Sequence, residues 1–240
     1  MSVAPHDGLA FRGVSFGYPG VRVLERADLD VRRGEVVGLT GANGAGKTTT
    51  FRLAAALLRP WEGAVWTGGH AVGTDARAVK RVTAYVPDEP ALHDRLSGQE
   101  NLNLYGLLWE MRPAAIRERS ERLLREVGLW GVRDRFAEAY SRGMRQKLAL
   151  CCALLHDPSV VLLDEPFSGL DTEGGLWLRA YVRSLAEEGR AIVLSTHTPE
   201  VLAATADRVV SLGRGRFVEA IPGGYGAGRD VARRIHGSDS

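Results

Sequence analysis

Apolar residues recur with the short periods of strands over residues 9–40. Residues 27–31 alternate between apolar and charged side chains, which is the pattern of a strand with one buried face. Residues 36–39 are apolar or glycine throughout, as expected of a strand buried on both faces. Two further apolar runs between residues 9 and 16 are separated by Gly13, which predicts two short strands there. The opening of the chain is therefore predicted to be β-structure.

The apolar period lengthens to that of a helix beyond a glycine-rich segment. Residues 47–58 are rich in Ala and Leu and precede a proline, which predicts a helix. The sequence Ser-Gly-Gln-Glu at 97–100 is a capping box that opens another helix. A further helix is predicted between Pro113, which suits a first helical position, and Gly128, which suits a helix end. Residues 88–156 are therefore predicted to be mostly helical.

Short apolar runs return later in the chain, at residues 160–163, 192–194 and 208–210, with helical stretches between them. Strands that alternate with helices in this way predict a parallel sheet, and hence an α/β fold with a helical insertion. The expected division is residues 1–87 as the first part of the core with antiparallel β-structure, 88–156 as a helical subdomain, 157–222 as the second part of the core, and 223–240 as a mobile glycine-rich tail.

The composition is that of an ordinary globular protein. Hydrophobic residues make up 45% and charged residues 25% of the 240 positions, which is enough apolar material for a core. The formal net charge is only +2, so charge gives no reason to expect a nucleic-acid partner. The longest apolar run, 148–155, is far shorter than the roughly 20 residues of a membrane span, and the first ten residues lack the regions of a signal peptide. Any association with a membrane is therefore expected to occur through a partner.

The glycine-rich segment carries the strongest chemical signal. Residues 41–48 read GANGAGKT and match the P-loop pattern G-x-x-x-x-G-K-[ST] between a predicted strand and a predicted helix. Glycines let successive N–H groups point at phosphate oxygens, and the following helix N-terminus favours an anion. Lys47 supplies a charge for the β- and γ-phosphates, and the Thr48 hydroxyl suits Mg²⁺. The residues predicted to bind the nucleotide here are Gly41, Asn43, Gly44, Ala45, Gly46, Lys47, Thr48 and Thr49.

Two carboxylates follow the predicted buried strand at 160–163. Open α/β sheets bind ligands at the carboxyl ends of their strands, which is where Asp164 and Glu165 stand. Asp164 is predicted to hold Mg²⁺ through its water shell, opposite Thr48. Glu165 is predicted to be the catalytic base that accepts a proton from the attacking water. Without the P-loop, the same residues would equally suit a strand followed by an acidic turn.

Four further short motifs accompany the P-loop. They are Tyr18 in Phe-Gly-Tyr-Pro, Ser-Arg-Gly-Met at 141–144, Ser-Gly-Leu-Asp at 168–171 and Ser-Thr-His at 195–197. Together, and in this order, the motifs resemble those of the nucleotide-binding domain of ABC transporters. The resemblance extends over residues 9–220, nearly the whole chain.

The resemblance implies a role for each motif. Tyr18 stacks on adenine, since any flat aromatic face suits a base. Ser141 and Gly143 begin a helix whose N-terminus faces the γ-phosphate held by another subunit. Asp171 ends the loop that crosses the dimer interface and is expected at the nucleotide. His197 is the switch histidine, which senses the γ-phosphate and acts with Glu165 and Lys47 in catalysis.

The resemblance also implies the fold and the surroundings of the chain. The expected fold is a P-loop NTPase core of the RecA-like type with an N-terminal antiparallel β subdomain and an inserted α-helical subdomain. ATP and Mg²⁺ are the expected cofactors, and ATP hydrolysis is expected to be coupled to transport. The expected partners are a second nucleotide-binding subunit, in a homo- or heterodimer, and a separate transmembrane permease subunit. The expected location is therefore the cytoplasmic face of the cell membrane.

Two sequence details bear on the branch of the family and on the metal site. Ser-x-Gly-Met at 141–144 and Asp-Glu-Pro at 88–90 resemble the forms of export-type relatives, so export is expected. The family usually has Gln at position 88, where this chain has Asp88. Its commonest form also has Gly and Gln at the positions where this chain has Arg142 and Met144. An ionised Asp accepts hydrogen bonds but cannot donate them as Gln does. Asp88 is therefore a candidate metal contact only through a Mg²⁺-bound water.

Two other functions remain as alternatives. A soluble ATPase of the same family could act on ribosomes or nucleic acid, but such relatives carry a long coiled coil or a second cassette. This chain shows neither a heptad run nor a second P-loop. A nucleotide-dependent binding protein without hydrolysis is the other alternative, and the presence of Glu165 and His197 argues against it. The transporter motor is therefore the preferred hypothesis.

Overall fold

The structure is a computed structural model that describes residues 7–221. The predicted mobile tail, 223–240, lies outside the described residues. The strands are β1 (Leu9–Tyr18), β2 (Val21–Val31), β3 (Val36–Thr40), β4 (Glu62–Thr67), β5 (His70–Ala71), β6 (Thr83–Val86), β7 (Val160–Leu163), β8 (Ala191–Ser195), β9 (Arg208–Gly213) and β10 (Arg216–Ile221). The α-helices are α1 (Lys47–Ala54), α2 (Ala76–Arg81), α3 (Gly98–Leu108), α4 (Pro113–Glu126), α5 (Arg142–Leu154), α6 (Thr172–Glu187) and α7 (Pro199–Thr205).

The strands form two sheets. The first is antiparallel, with the order β2-β1-β4-β5. The second has the order β10-β9-β3-β8-β7-β6, and its strands are parallel except for β10, which runs antiparallel to β9. Helices α3 to α5 are inserted between β6 and β7, two neighbouring strands of the second sheet. This is the predicted P-loop NTPase core with an antiparallel β subdomain and a helical insertion.

A single strand, β1, replaces the two short strands predicted around Gly13. Gly13 has a φ of 57°, and the pairing of β1 with β2 shifts register between Phe11 and Val14. The Gly13 N–H donates to Asp28 Oδ1 at 2.8 Å, so the backbone stays hydrogen-bonded across the irregularity. A glycine in the left-handed region forms a bulge without ending the strand, which is why the two-strand prediction is wrong.

Helix α1 is shorter than the predicted helix over 47–58 and ends at Ala54. Ala56 has a φ of 54°, in the left-handed region, and the N–H groups of Leu57 and Leu58 return to the Arg52 carbonyl at 2.8 and 3.2 Å. A left-handed residue with such back-bonds ends a helix, whatever the propensity of the residues that follow. Side-chain composition alone therefore overestimated the helix length.

The predicted helix starts are confirmed by their capping geometry. Ser97 accepts from the Glu100 N–H at 3.2 Å, and Glu100 accepts from the Ser97 N–H at 2.7 Å, which completes the capping box of α3. Helix α4 begins at Pro113, and the Ser141 hydroxyl caps α5 by accepting from the Met144 N–H at 3.3 Å. Among the described helices, none has the length and apolarity that crossing a bilayer requires.

The parallel sheet is buried on both of its faces. Along β7, Val161 and Leu163 pack into the cluster that includes residues of α5 and α6, while Val160 and Leu162 pack into the cluster that includes Phe51 of α1 and residues of β1. Each fully buried Val or Leu contributes about 1.5–3 kcal/mol relative to exposure. The carboxyl ends of these strands are therefore anchored by packing on both faces, and the loops that leave them lie along one edge of the sheet.

Candidate active site

A cavity of about 680 Å³ lies at the carboxyl edge of the parallel sheet. It brings together side chains from the β1–β2 turn, the P-loop and the ends of β6, β7 and β8. The sequence-predicted site residues that line it are Tyr18, Asn43, Gly44, Gly46, Lys47, Thr48, Thr49, Asp88, Asp164, Glu165 and His197. Residues far apart in the sequence are therefore collected around one space large enough for a nucleotide.

The P-loop holds a closed conformation through contacts of its own. Lys47 is 8% exposed, and its Nζ donates to the Gly41 carbonyl at 2.8 Å. Gly46 has a φ of 110°, and a Cβ at that position would lie 2.4 Å from Cγ1 of Val23, so only glycine fits. The Ala45 N–H donates to the Ala42 carbonyl at 3.1 Å and tightens the turn. The loop thus leads directly into the N-terminus of α1, whose free N–H groups suit a phosphate.

An oxygen pair beside the P-loop suits a hard divalent cation. The Thr48 hydroxyl donates to Asp164 Oδ2 at 2.7 Å, and Asp164 is only 4% exposed. Within residues 7–221, no group of three or more His, Cys, Asp or Glu side chains is arranged to hold a metal. Mg²⁺ is commonly held by one or two protein oxygens, with phosphate and water oxygens completing its octahedron. Thr48 and Asp164 therefore fit a cation that arrives with a triphosphate.

Glu165 occupies an unusual backbone conformation with a φ of 50°. Its Oε2 accepts from the His197 N–H at 3.2 Å. His197 Nε2 lies 3.0 Å from Oε1, but Oε1 accepts no hydrogen bond from any described residue. Burial raises the pKa of the Glu165 carboxyl above its ordinary value, although His197 and Lys47 oppose part of the rise. A half-buried carboxylate with a raised pKa and an oxygen that accepts no hydrogen bond is well suited to accept a proton.

Tyr18 stands at the mouth of the cavity and is 39% exposed. Its hydroxyl lies 3.5 Å from the Thr49 hydroxyl, and the Phe16 ring packs edge-on against it with centroids 5.3 Å apart. Phe16 in turn lies 5.6 Å from the ring of Trp61. These contacts orient the Tyr18 ring and leave part of it open to a flat ligand.

Three residues of this region were not predicted from the sequence. Arg52 lines the cavity because it lies one helical turn beyond Thr48 on the same face of α1, a spacing that the sequence does show. Tyr85 is packed near Asp164, and burial, followed by the charge of Asp164, raises the pKa of its hydroxyl to about 12. Ser195 contacts both acidic residues of the site, and its place at the end of a predicted strand, before His197, was the available signal.

Ser141, Gly143 and Asp171 lie elsewhere, around a second cavity of about 280 Å³. Ser141 caps α5, and Asp171 caps α6 by accepting from the Gly174 N–H at 2.7 Å. Gln146 also lines this cavity; it is 8% exposed, and its Nε2 has no hydrogen-bond partner among the described residues. The structure therefore does not bring the signature residues to the P-loop of the same chain.

The fold and the first cavity define a class of protein, the P-loop nucleotide-binding proteins. Residues 24–168 match the family model described as ABC transporter. The chain is 35% identical over 199 residues to ABC transporter ATP-binding protein NatA of Bacillus subtilis (strain 168), which covers 82% of this chain and 81% of that protein. The chain therefore belongs to the ABC transporter family, as an ATP-binding member.

Other relatives agree with this assignment. Daunorubicin/doxorubicin resistance ATP-binding protein DrrA of Streptomyces peucetius is 34% identical over 218 residues, or 91% of this chain, and the chain spans 66% of that protein. ATP-binding cassette sub-family A member 7 of Mus musculus is 35% identical over 236 residues, and the chain spans only 11% of its length. A solved structure described as an ATP-binding subunit of an ABC transporter superposes with a TM-score of 0.80 at 34% identity, covering 95% of this chain and 93% of the other.

Proposed function

We propose that the chain hydrolyses ATP and powers export through a separate transmembrane subunit. The observation that carries the proposal is one cavity in which Lys47 and Thr48 of the P-loop face Asp164 and Glu165, which directly follow β7. The relatives support the direction, because DrrA is named for resistance to daunorubicin and doxorubicin. The substrate that crosses the membrane is selected by the transmembrane subunit.

Within this proposal, each residue has a specific task. Tyr18 stacks on the adenine, and Lys47 exchanges the Gly41 carbonyl for the β- and γ-phosphates. Thr48 and Asp164 would hold Mg²⁺, which would neutralise charge on the phosphates when bound, and Asp88 would be available to a water of the cation.

Glu165 accepts the proton of the attacking water through Oε1, which accepts no hydrogen bond from the described residues. His197 keeps that carboxylate in place through its backbone N–H, and its ring, with Nε2 3.0 Å from Glu165 Oε1, is proposed to contact the terminal phosphate.

A second nucleotide-binding subunit completes each site in this proposal. Ser141, Gly143 and Asp171 line a cavity of their own, so they serve a nucleotide held by another copy or by a related chain. The helical insertion, residues 88–156, is proposed to move as one unit against the core formed by 1–87 and 157–222. Both homo- and heterodimers fit this arrangement.

The membrane association follows from the proposed partner. The segment from Asp88 to Leu108 is proposed to contact the transmembrane permease, which places the chain at the cytoplasmic face of the cell membrane. Leu107 and Leu108, at the end of α3, are 62% and 69% exposed, which fits an apolar docking surface.

Phosphate release from ATP by the purified chain, with Mg²⁺ present, tests the proposed enzyme activity. Turnover that requires Mg²⁺ and is lost in Glu165→Gln supports it, whereas an absence of ATP binding at millimolar concentration contradicts it. The molecules that co-purify with the chain distinguish a transporter motor from a soluble ATPase. Co-purification of a multi-span membrane protein supports the transporter, whereas co-purification of ribosomes or DNA supports a soluble ATPase that acts on them.

A further inference from the structure

The last residue of β8, Ser195, stands between the two acidic residues of the site. Strands β7 and β8 are parallel neighbours, and Leu163 pairs with Leu194. Because the strands end in register, the residue after Leu194 lies beside the residue after Leu163. Ser195 is completely buried at this point, next to Asp164.

The Ser195 hydroxyl makes two hydrogen bonds of opposite sense. It donates to Asp164 Oδ1 at 2.8 Å and accepts from the Glu165 N–H at 3.0 Å. A hydroxyl is suited to both bonds at once, because it offers one donor and two acceptor lone pairs. One side chain therefore contacts both acidic residues without contacting the nucleotide cavity.

The two bonds constrain different properties of the acidic residues. Asp164 Oδ2 is oriented by Thr48 at 2.7 Å, and Ser195 supplies the donor to the other oxygen, so the plane of the carboxylate is defined from both sides. Glu165 has a φ of 50°, a strained conformation for a residue with a side chain, which persists only where neighbours hold it. The Ser195 hydroxyl accepts from the N–H of that same residue.

We propose that Ser195 is a positioning residue that acts through Asp164 and Glu165. It orients the Asp164 carboxylate for the cation and holds the Glu165 backbone in the conformation that directs the carboxylate toward water. This rests on the proposed ATP hydrolysis. Since Ser195 does not line the nucleotide cavity, its removal is expected to affect turnover far more than nucleotide affinity.

The main test compares three variants of the full chain. In Ser195→Ala, both hydrogen bonds are lost, and we expect kcat to fall about 10–100-fold, as for other residues that orient metal ligands. In Ser195→Thr the hydroxyl remains, and kcat should return to within about threefold of wild type. Thr67→Ala is the matched control, because Thr67 is also completely buried and its hydroxyl donates to the Ala54 carbonyl at 2.8 Å, in the antiparallel sheet.

A binding measurement without turnover separates positioning from general damage. Calorimetric titration with a non-hydrolysable ATP analogue is run with Mg²⁺ and with EDTA. In EDTA, Ser195→Ala should bind within about threefold of wild type, because the P-loop contacts are intact, whereas the gain in affinity on adding Mg²⁺ should shrink. Thr67→Ala should retain the full gain.

The outcomes that overturn the proposal differ from those that overturn ATP hydrolysis. If wild type shows no turnover, the proposed function fails; if wild type turns over and Ser195→Ala matches it, only the role of Ser195 fails. Equal loss in Ser195→Ala and Thr67→Ala, or no recovery in Ser195→Thr, also contradicts it. If Ser195→Ala does not fold, Ser195→Cys is measured instead, because a thiol is only a weak hydrogen-bond donor. A wild-type kcat in Ser195→Cys would then overturn the proposal.

Discussion

The N-termini of α1 and α5 are built in opposite ways. At α1, Lys47 is 8% exposed and bonded to the Gly41 carbonyl, and the neighbouring Asp164 has both carboxylate oxygens paired within the chain. At α5, Ser141 and Arg142 are exposed, and the buried Nε2 of Gln146 has no partner among the described residues.

The difference shows which interactions one chain supplies alone. The α1 site is stabilised by contacts between β3, β7 and β8, whose strand ends are fixed by packing on both faces of the sheet. The α5 surface is capped but open, so its remaining donors are available to something outside the chain. The variants below probe the closed site first and the open surface afterwards.

Glu165→Gln is expected to have the largest effect. The amide keeps the size of the side chain but cannot accept the proton, so kcat should fall by about 10²–10⁴-fold while ATP binding persists. Phosphate release and equilibrium binding are measured on the same preparation, and a stable dimer should accumulate with ATP. Glu118→Gln, at an exposed position of α4, is the control. Unchanged turnover in Glu165→Gln would remove the base assignment.

Lys47→Ala should mainly affect binding. Loss of a charge-assisted hydrogen bond to phosphate costs about 1.5–3 kcal/mol, which corresponds to an affinity for ATP weaker by roughly 10–100-fold. Titration with ATP in EDTA measures this loss without turnover. Lys80→Ala, which removes an exposed positive charge from α2, should bind like wild type. Full retention of affinity in Lys47→Ala contradicts the phosphate cradle.

Ser141→Ala tests the open surface, and Ser97→Ala is its matched control. Each serine caps a helix, so each change should lower stability by about 0.5–2 kcal/mol. Only Ser141 is proposed to reach a nucleotide, held by a second subunit, so only Ser141→Ala should also lower kcat, by about tenfold, as expected for one lost hydrogen bond of about 1.5 kcal/mol. Equal kcat values in the two variants would confine Ser141 to its capping role.

Arg142→Gly distinguishes a contact within the chain from a contact across subunits. Arg142 Nη2 donates to the Ser168 hydroxyl at 2.9 Å, and both residues are at the surface. If that bond is the main contact of Arg142, kcat should change by less than about threefold, since exposed contacts contribute little. The effects of Arg142→Gly and Ser168→Ala should then be non-additive in the double variant. A loss of tenfold or more would instead indicate that the guanidinium reaches the nucleotide of the partner.

Asp88→Gln should have the smallest effect on hydrolysis by the isolated chain. Asp88 is exposed and makes no hydrogen bond to another described residue, so kcat should stay within about threefold of wild type. Transport by the chain reconstituted with its permease is the second measurement. If hydrolysis persists and transport fails, position 88 couples ATP hydrolysis to transport. If hydrolysis and transport both persist, the coupling role that the family gives to this position does not apply to Asp88.

Much of the site was predictable because its chemistry follows the order of the chain. The P-loop lies between a strand and a helix, and Asp164, Glu165 and His197 follow apolar strands, so the carboxyl-edge rule for α/β sheets located them. The caps at Ser97 and Ser141 were equally local, because a helix cap depends on residues three positions apart.

The wrong element boundaries and the missed site residues arose where a backbone conformation or a residue distant in the sequence determines the local structure. The bulge at Gly13 and the end of α1 near Ala56 both depend on a left-handed backbone conformation. A glycine is compatible with that conformation without requiring it, and an alanine gives no sign of it in the sequence. Tyr85 gained its place beside the site from the pairing of β6 with β7, whereas Arg52 was omitted although its spacing from Thr48 along α1 is visible in the sequence.

The amino-acid sequence by itself determined the nucleotide-binding motif, the strands and the helix that carry the P-loop, Asp164 and His197, and the family of this chain, because these depend on residue types at short spacings. The tertiary structure alone decided that Ser195 contacts both Asp164 and Glu165, and that the signature residues lie apart from the P-loop. The physical reason is that strand pairing brings together residues about thirty positions apart, and no local period encodes which of them meet.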